Sequence, residues 1–154
     1  MNRASILGVA LALAFVAAAC GGGSSAPGAE GARATAPKPG ECVVPADAVV
    51  ALITQALTVP GGSVRAPRAV LSKLYGNVWM IAADIEGPGM EGPDQVGIWA
   101  TMNIEAAGTV SWVNTLAREN TALLGGSGEG TTRYTPTAHG IAEATKCTRD
   151  ALGG

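Results

Sequence analysis

The chain predicts an α+β domain: an antiparallel sheet of about four strands, with an N-terminal and a C-terminal helix packed on one face. Three observations predict it. Val78–Glu86 and Val96–Asn103 alternate with a period of two and are separated by a Gly- and Pro-rich stretch, the pattern of hairpin strands. Apolar residues recur at helical spacing on either side of that region, in 45–57 and 137–152. Helices at the ends and strands between them segregate into a helical layer and a sheet.

The first residues prepare the chain for export. Met1-Asn2-Arg3 carries one side-chain positive charge, Ile6 to Ala18 is apolar, and small residues precede Cys20. The apolar run is shorter than the roughly 20 residues that span a bilayer, so it reads as a signal peptide over residues 1–19. Val16-Ala17-Ala18-Ala19-Cys20-Gly21 resembles a bacterial lipoprotein signal, with Ala17 standing where that family usually has Leu or Val. The resemblance implies cleavage before Cys20 and a lipid on its sulfur. Each buried acyl methylene contributes about 0.8 kcal/mol, so two or three chains anchor firmly. The alternative is plain secretion after an Ala-x-Ala site, with Cys20 unmodified or removed.

Residues 20–40 form the anchor and a tether. Gly and Ser make the segment flexible, Pro27, Pro37 and Pro39 keep it extended, and nothing in it buries a core. A coil of this length and kind reaches about 25 Å.

In the domain, residues 41–154, Pro45–Leu57 reads as the first helix. Val49, Leu52, Ile53, Ala56 and Leu57 share one face, Pro45 suits the first helical position, and Asp47 faces the positive helix start. Pro60-Gly61-Gly62 ends it. Ala69–Leu74 is a strand that opens after Pro67, and Tyr75-Gly76-Asn77 turns the chain. In Val78–Glu86, Trp79, Ile81, Ala83 and Ile85 make one face. The other begins apolar at Val78 and Met80 and ends polar at Asp84 and Glu86. Residues 87–94 form a loop. In Val96–Asn103, Val96, Ile98, Ala100 and Met102 oppose Gly97, Trp99, Thr101 and Asn103. Thr109–Val113 continues the meander. Asn114–Leu124 reads as a short helix and 125–130 as a flexible loop. Thr135-Pro136 has the form of an N-cap and first helical proline for a helix over Thr137–Leu152, with Ile141, Ala144, Thr148 and Leu152 along one side.

Charge narrows the partners. Residues 41–154 carry eleven acids and seven bases, a net charge of −4. With no basic stripe, nucleic acid is a poor partner. Three cysteines are an odd number for an exported protein. With Cys20 on lipid, Cys42 and Cys147 remain at the two ends of the domain and are expected to form a disulfide. The alternative is two free buried thiols.

The strand residues resemble a known shape. Trp79, Ala82-Ala83 and Ile85, then Gly97-Ile98-Trp99-Ala100-Thr101, then a last helix ending near Cys147, look like small uncharacterised domains of actinomycete-type exported lipoproteins. The resemblance implies the exported α+β domain and no activity.

The chain offers little chemistry by pattern. It has one histidine, His139, read as a partly exposed helical residue, and no Gly-x-Ser-x-Gly. Zinc needs several His or Cys ligands, so no metal or cofactor is expected. Asp84, Glu86, Glu91 and Asp94 gather around the 87–94 loop but lack the alternating ligands of a calcium loop. The more informative residues are Trp99, Thr101 and Trp112. Left uncovered, that face would be a binding surface. Covered, both tryptophans are core, or one lies over its neighbour's backbone. Three functions follow. The first is a tethered, non-enzymatic binding domain meeting an envelope protein. The second is a small carrier with an apolar ligand behind Ile81, Ile98 and Met102. The third is an enzyme built on carboxylates.

Overall fold

The computed structural model describes residues 37–92, 95–124, 134 and 137–153. The signal peptide, Cys20, most of the tether, Asp94, the 125–130 loop and the Thr135-Pro136 cap lie outside them. Among the described residues, no helix is long and apolar enough to cross a membrane.

The sheet has five antiparallel strands in the order β1-β2-β3-β4-β5. They are β1 (Cys42–Val43), β2 (Ser63–Leu71), β3 (Trp79–Glu86), β4 (Val96–Thr101) and β5 (Val110–Trp112). The helices are α1 (Asp47–Gln55), α2 (Thr115–Asn120) and α3 (Ile141–Ala151). The class is α+β as expected, with one strand more than the sequence predicted. The added strand is β1, two residues paired with Val70 and Ala69, too short to show a pattern.

The terminal helices do not share a face. On one side, Val49 and Ile53 of α1 and Ala117 of α2 pack on Trp79, Ile81, Ala83, Ile85 and Trp99. On the other, Ala144 and Cys147 of α3 pack on Val70, Met80, Ala82, Ile98 and Ala100. The expected single helical layer is therefore corrected to helices on both faces. The physical reason lies in β3 and β4. Their second-face residues Val78, Met80 and Ala82, and Val96, Ile98 and Ala100, are apolar too, and leaving that area wet would forfeit about 25 cal/mol per Å². Every residue of β4 is buried, the signature of a strand covered on both sides.

Two local departures have clear causes. β2 begins six residues before the predicted strand because Pro67 sits in a bulge. Ala66 and Pro67 stand opposite the single residue Ala83, and Ala66 takes a left-handed φ of 49°. A bulge leaves a residue outside the ladder, so the missing proline N–H costs no bond there. α1 starts at Asp47 with Ala46 as N-cap, and Pro45 is buried ahead of it. The Ala46 N–H donates to the carbonyl of Ile104 at 3.0 Å, which ties the helix start to the segment after β4.

The layers are fastened differently. The ends of α1 and α2 clasp each other, with Thr58 N–H on the Asn120 carbonyl (2.9 Å) and Ala122 N–H on the Ala56 carbonyl (2.8 Å). Asn114 caps α2 by accepting from Ala117 N–H, and the same side chain takes Ile98 N–H and donates to the Val96 carbonyl, clamping β4. α3 is joined to β1 by the Cys42–Cys147 disulfide, as expected from the cysteine positions. Buried Thr148 donates to the Ala82 carbonyl at 2.9 Å.

Candidate functional site

The tryptophan surface is not a surface. Trp99 is 0% exposed and Thr101 is buried, because α1 and α2 cover their face of the sheet. A Cβ added at Gly97 would overlap Cη2 of Trp99 and lie 3.0 Å from Cδ1 of Ile85. The indole thus lies across the Gly97 backbone, the covered alternative left open by the sequence. Its Nε1–H is buried without an acceptor among the described residues. Trp112 is half-buried, with the Arg118 guanidinium 5.9 Å from its ring centroid, within cation–π range. The expected binding surface of Trp99, Thr101 and Trp112 is corrected to core and core edge.

The apolar cavity expected behind Ile81, Ile98 and Met102 does not form from these residues. Ile81 and Ile98 lie on opposite faces of the sheet, and Met102 is 63% exposed past the end of β4. The carboxylates also find other employment. Arg65 on β2 meets Asp84 at 2.9 Å and Glu86 at 3.0 Å, so both acids bracket one guanidinium. Glu91 accepts the Gly89 N–H at 3.3 Å, and Asp94 lies outside the described residues.

What the fold does build is a cleft where the β2–β3 connection meets the start of α3. The connection is shaped by Ser72, which is buried and whose hydroxyl accepts the N–H groups of Leu74 and Tyr75, both at 3.3 Å. That turn leaves the Leu74 side chain 64% exposed. Tyr75 packs edge-on against Tyr134, ring centroids 5.0 Å apart. On the facing side, Gly140 has φ 99°, and a Cβ there would come within 3.1 Å of Met80 Cγ. Glycine therefore serves twice, by accepting the left-handed backbone and by letting α3 start hard against β3.

His139 joins the two sides. Its Nδ1 accepts the Lys73 N–H at 3.1 Å, and its Nε2 lies 3.3 Å from Glu143 Oε1. An amide donor at Nδ1 requires a lone pair there, so the proton belongs on Nε2, facing the carboxylate. Glu143 Oε2 takes the Gly140 N–H at 3.0 Å. This is the glutamate half of a capping box, and Gly140 has no side chain to return the bond. The Glu143 carboxyl is held below its usual pKa first by its own backbone N–H, against burial, then by Gly140 N–H, His139 and Lys73.

The cleft has a volume of about 560 Å³, and its lining includes Lys73, Leu74, Ala138, His139, Ala142 and Glu143. That is the scale of small-ligand sites, roughly 300–1,000 Å³. Both imidazole nitrogens are engaged, Nδ1 with the Lys73 N–H and Nε2 with the Glu143 carboxylate. The sequence reading placed His139 inside the last helix. The helix begins at Ile141, and His139 lies on the turn that precedes it, one-quarter exposed. Lys73 and Leu74 were missed, both having been assigned to the end of the Ala69–Leu74 strand. The one sequence signal available was Gly140-x-x-Glu143, half of an N-terminal helix signature. A comparison with family models, curated proteins and solved structures finds no match, so the site is read from its own geometry.

Proposed function

We propose that the chain is a lipid-anchored binding domain on the extracytoplasmic face of the cell membrane, without catalytic activity of its own, and that its ligand enters the Lys73–Glu143 cleft. The observation that carries the binding reading is the cleft: an exposed leucine and a lysine held against a helix start by a histidine bonded at both nitrogens. The anchoring half is supported by the apolar leader ending at Cys20. The Cys42–Cys147 bond fits an oxidising compartment and leaves Cys20 as the cysteine for lipid. The acidic domain disfavours nucleic acid.

Native mass spectrometry of the chain extracted gently from its own envelope tests both halves. The expected result is an N-terminus at Cys20 bearing acyl mass, with a further stoichiometric adduct that disappears on Leu74→Asp. A bare N-terminus overturns the anchor. An adduct that survives Leu74→Asp moves the binding site elsewhere, and a lipidated monomer with no adduct overturns the binding reading.

A further inference from the structure

We propose that His139 is a pH-sensitive latch between the β2–β3 connection and the start of α3: the neutral ring holds Lys73 against the helix start, and the imidazolium lets it go and stays with Glu143. The latch needs only the geometry of the cleft and operates whether or not the cleft takes a ligand.

One lone pair has two claimants. A neutral imidazole has one N–H and one acceptor nitrogen. In His139 the acceptor is Nδ1, and the Lys73 N–H occupies it at 3.1 Å. That nitrogen is also the only place where a second proton can bind. Proton and peptide N–H therefore exclude each other. Once Nδ1 carries hydrogen, two donors face one another and the Lys73 bond is lost. Histidine is the side chain whose charge ordinarily changes between about pH 5 and pH 8, so the exchange falls in an accessible range.

The surrounding charges decide which side keeps the ring. From α3, Glu143 Oε1 lies 3.3 Å from Nε2, and its other oxygen is fixed by the Gly140 N–H. The carboxyl is held below its usual value, first by its own backbone N–H, so it stays charged while a histidine titrates. From the connection, the charged group is the Lys73 ammonium, which also acts on Glu143. An imidazolium is thus attracted towards α3 and repelled by the base on the connection. Tyr75 of the connection and Tyr134 are engaged with each other, edge to face.

The connection can part from the helix without losing its own turn. The Ser72 N–H donates to the Val78 carbonyl at 2.8 Å, and the Ser72 hydroxyl takes the N–H groups of Leu74 and Tyr75. None of these bonds involves His139. Leu74 is already largely exposed, so parting forfeits little buried apolar area. The change is a widening of the cleft on its Lys73–Leu74 side, with the sheet and α3 unaltered.

His139 is the single histidine of the chain, so its ring signals are unambiguous. The full chain carrying Cys20→Ser, exported and oxidised, is titrated from about pH 8 to about pH 5 by NMR. Long-range proton–nitrogen spectra should show the Nε2–H tautomer at the alkaline end. The Lys73 amide should shift with the same midpoint as the imidazole. Its protection from solvent exchange, corrected for the intrinsic effect of pH, should fall on the order of fivefold, the worth of one hydrogen bond. The core amides of Ile81 and Thr148 should hold. His139→Asn offers an acceptor oxygen in place of Nδ1 but cannot titrate, so its Lys73 amide should keep one shift throughout. Glu143→Gln should move the imidazole midpoint to lower pH, because the cation loses its partner. An Nδ1–H tautomer at the alkaline end, a Lys73 amide that does not follow the imidazole, or a Lys73 shift that persists in His139→Asn overturns the latch. An unchanged midpoint in Glu143→Gln overturns the assignment of the charged ring to α3.

Discussion

The two faces of the sheet are held by different means. The α1/α2 face is filled by volume: all three tryptophans, Trp79, Trp99 and Trp112, belong to or border its core, and Gly97 makes room for one of them. The α3 face has no tryptophan and mixes Val70, Met80 and Ile98 with the small Ala82, Ala100, Ala138 and Ala144. Small side chains bring a helix close but bury little area each. That face also carries the fixed links, the Cys42–Cys147 bond and Thr148 on the Ala82 carbonyl. On this face covalent and hydrogen-bonded links add to the packing, and the cleft opens beside the start of α3.

Breaking the covalent link should have the largest effect. The cysteines are 105 residues apart. The chain-entropy estimate for a loop of that length is about 4.7 kcal/mol, with measured values often lower. Paired Cys42→Ser and Cys147→Ser should lower the melting temperature by more than any other change here. Hydrogen exchange should rise first in β1 and α3, while tryptophan fluorescence, which reports the other face alone, stays native until global unfolding. Simultaneous loss of both signals would show that the faces are not separable.

Gly97→Ala tests the opposite face. The new methyl overlaps the Trp99 ring, so the indole must leave its place over the strand. Overpacking of this kind costs about 1–3 kcal/mol. Denaturant unfolding should show it, with a changed near-ultraviolet tryptophan signal and undisturbed amide shifts in α3. An unchanged near-ultraviolet spectrum would contradict the placement of Trp99.

Thr148→Val returns to the α3 face with almost no change of shape. It removes the buried donor to Ala82 and leaves a carbonyl without it, at a cost of about 1–2 kcal/mol by chemical denaturation. A neutral result would mean that the links on this face reduce to the disulfide.

The smallest effect belongs to Glu143. Its carboxyl is depressed in the folded chain, first by its own backbone N–H, so it binds a proton less readily folded than unfolded. The resulting stability is present above the usual carboxyl value of 4.5 and is lost as pH falls through the lower folded value. The side chain is 40% exposed, and screening keeps the contribution to about 0.5 kcal/mol. Glu143→Gln should therefore be slightly less stable than the parent at pH 7, with the difference shrinking as pH falls below 4.5 through the lower folded value. A difference that does not change with pH would assign the loss to packing.

Much of the fold is legible in the chain because it is local. The alternation in Val78–Glu86 and Val96–Asn103 identifies β3 and β4, the spacing of Val49, Leu52 and Ile53 identifies α1, and the cysteine positions indicate the bond between them. What was missed had no local signature or a misleading one. β1 is two residues long, Pro67 reads as a strand boundary although a bulge absorbs it, and Ser72 folds its turn only once buried. Trp99 illustrates the limit: its neighbours show that it shares a face with Thr101, but whether a helix covers that face is not written near it.

The sequence by itself determined the apolar N-terminal run that ends at Cys20, the acidic domain, the central hairpin, the first and last helices, and the cysteine pair. Those features depend on composition and on periodicities of a few residues, which backbone geometry imposes wherever they occur. The tertiary structure alone decided on which face each helix lies, that the tryptophans are core, and that Lys73, Leu74, His139 and Glu143 meet. Residues 66 positions apart come together only because α3 crosses the second face of β2 and β3, and that placement minimises exposed apolar area over the whole domain at once.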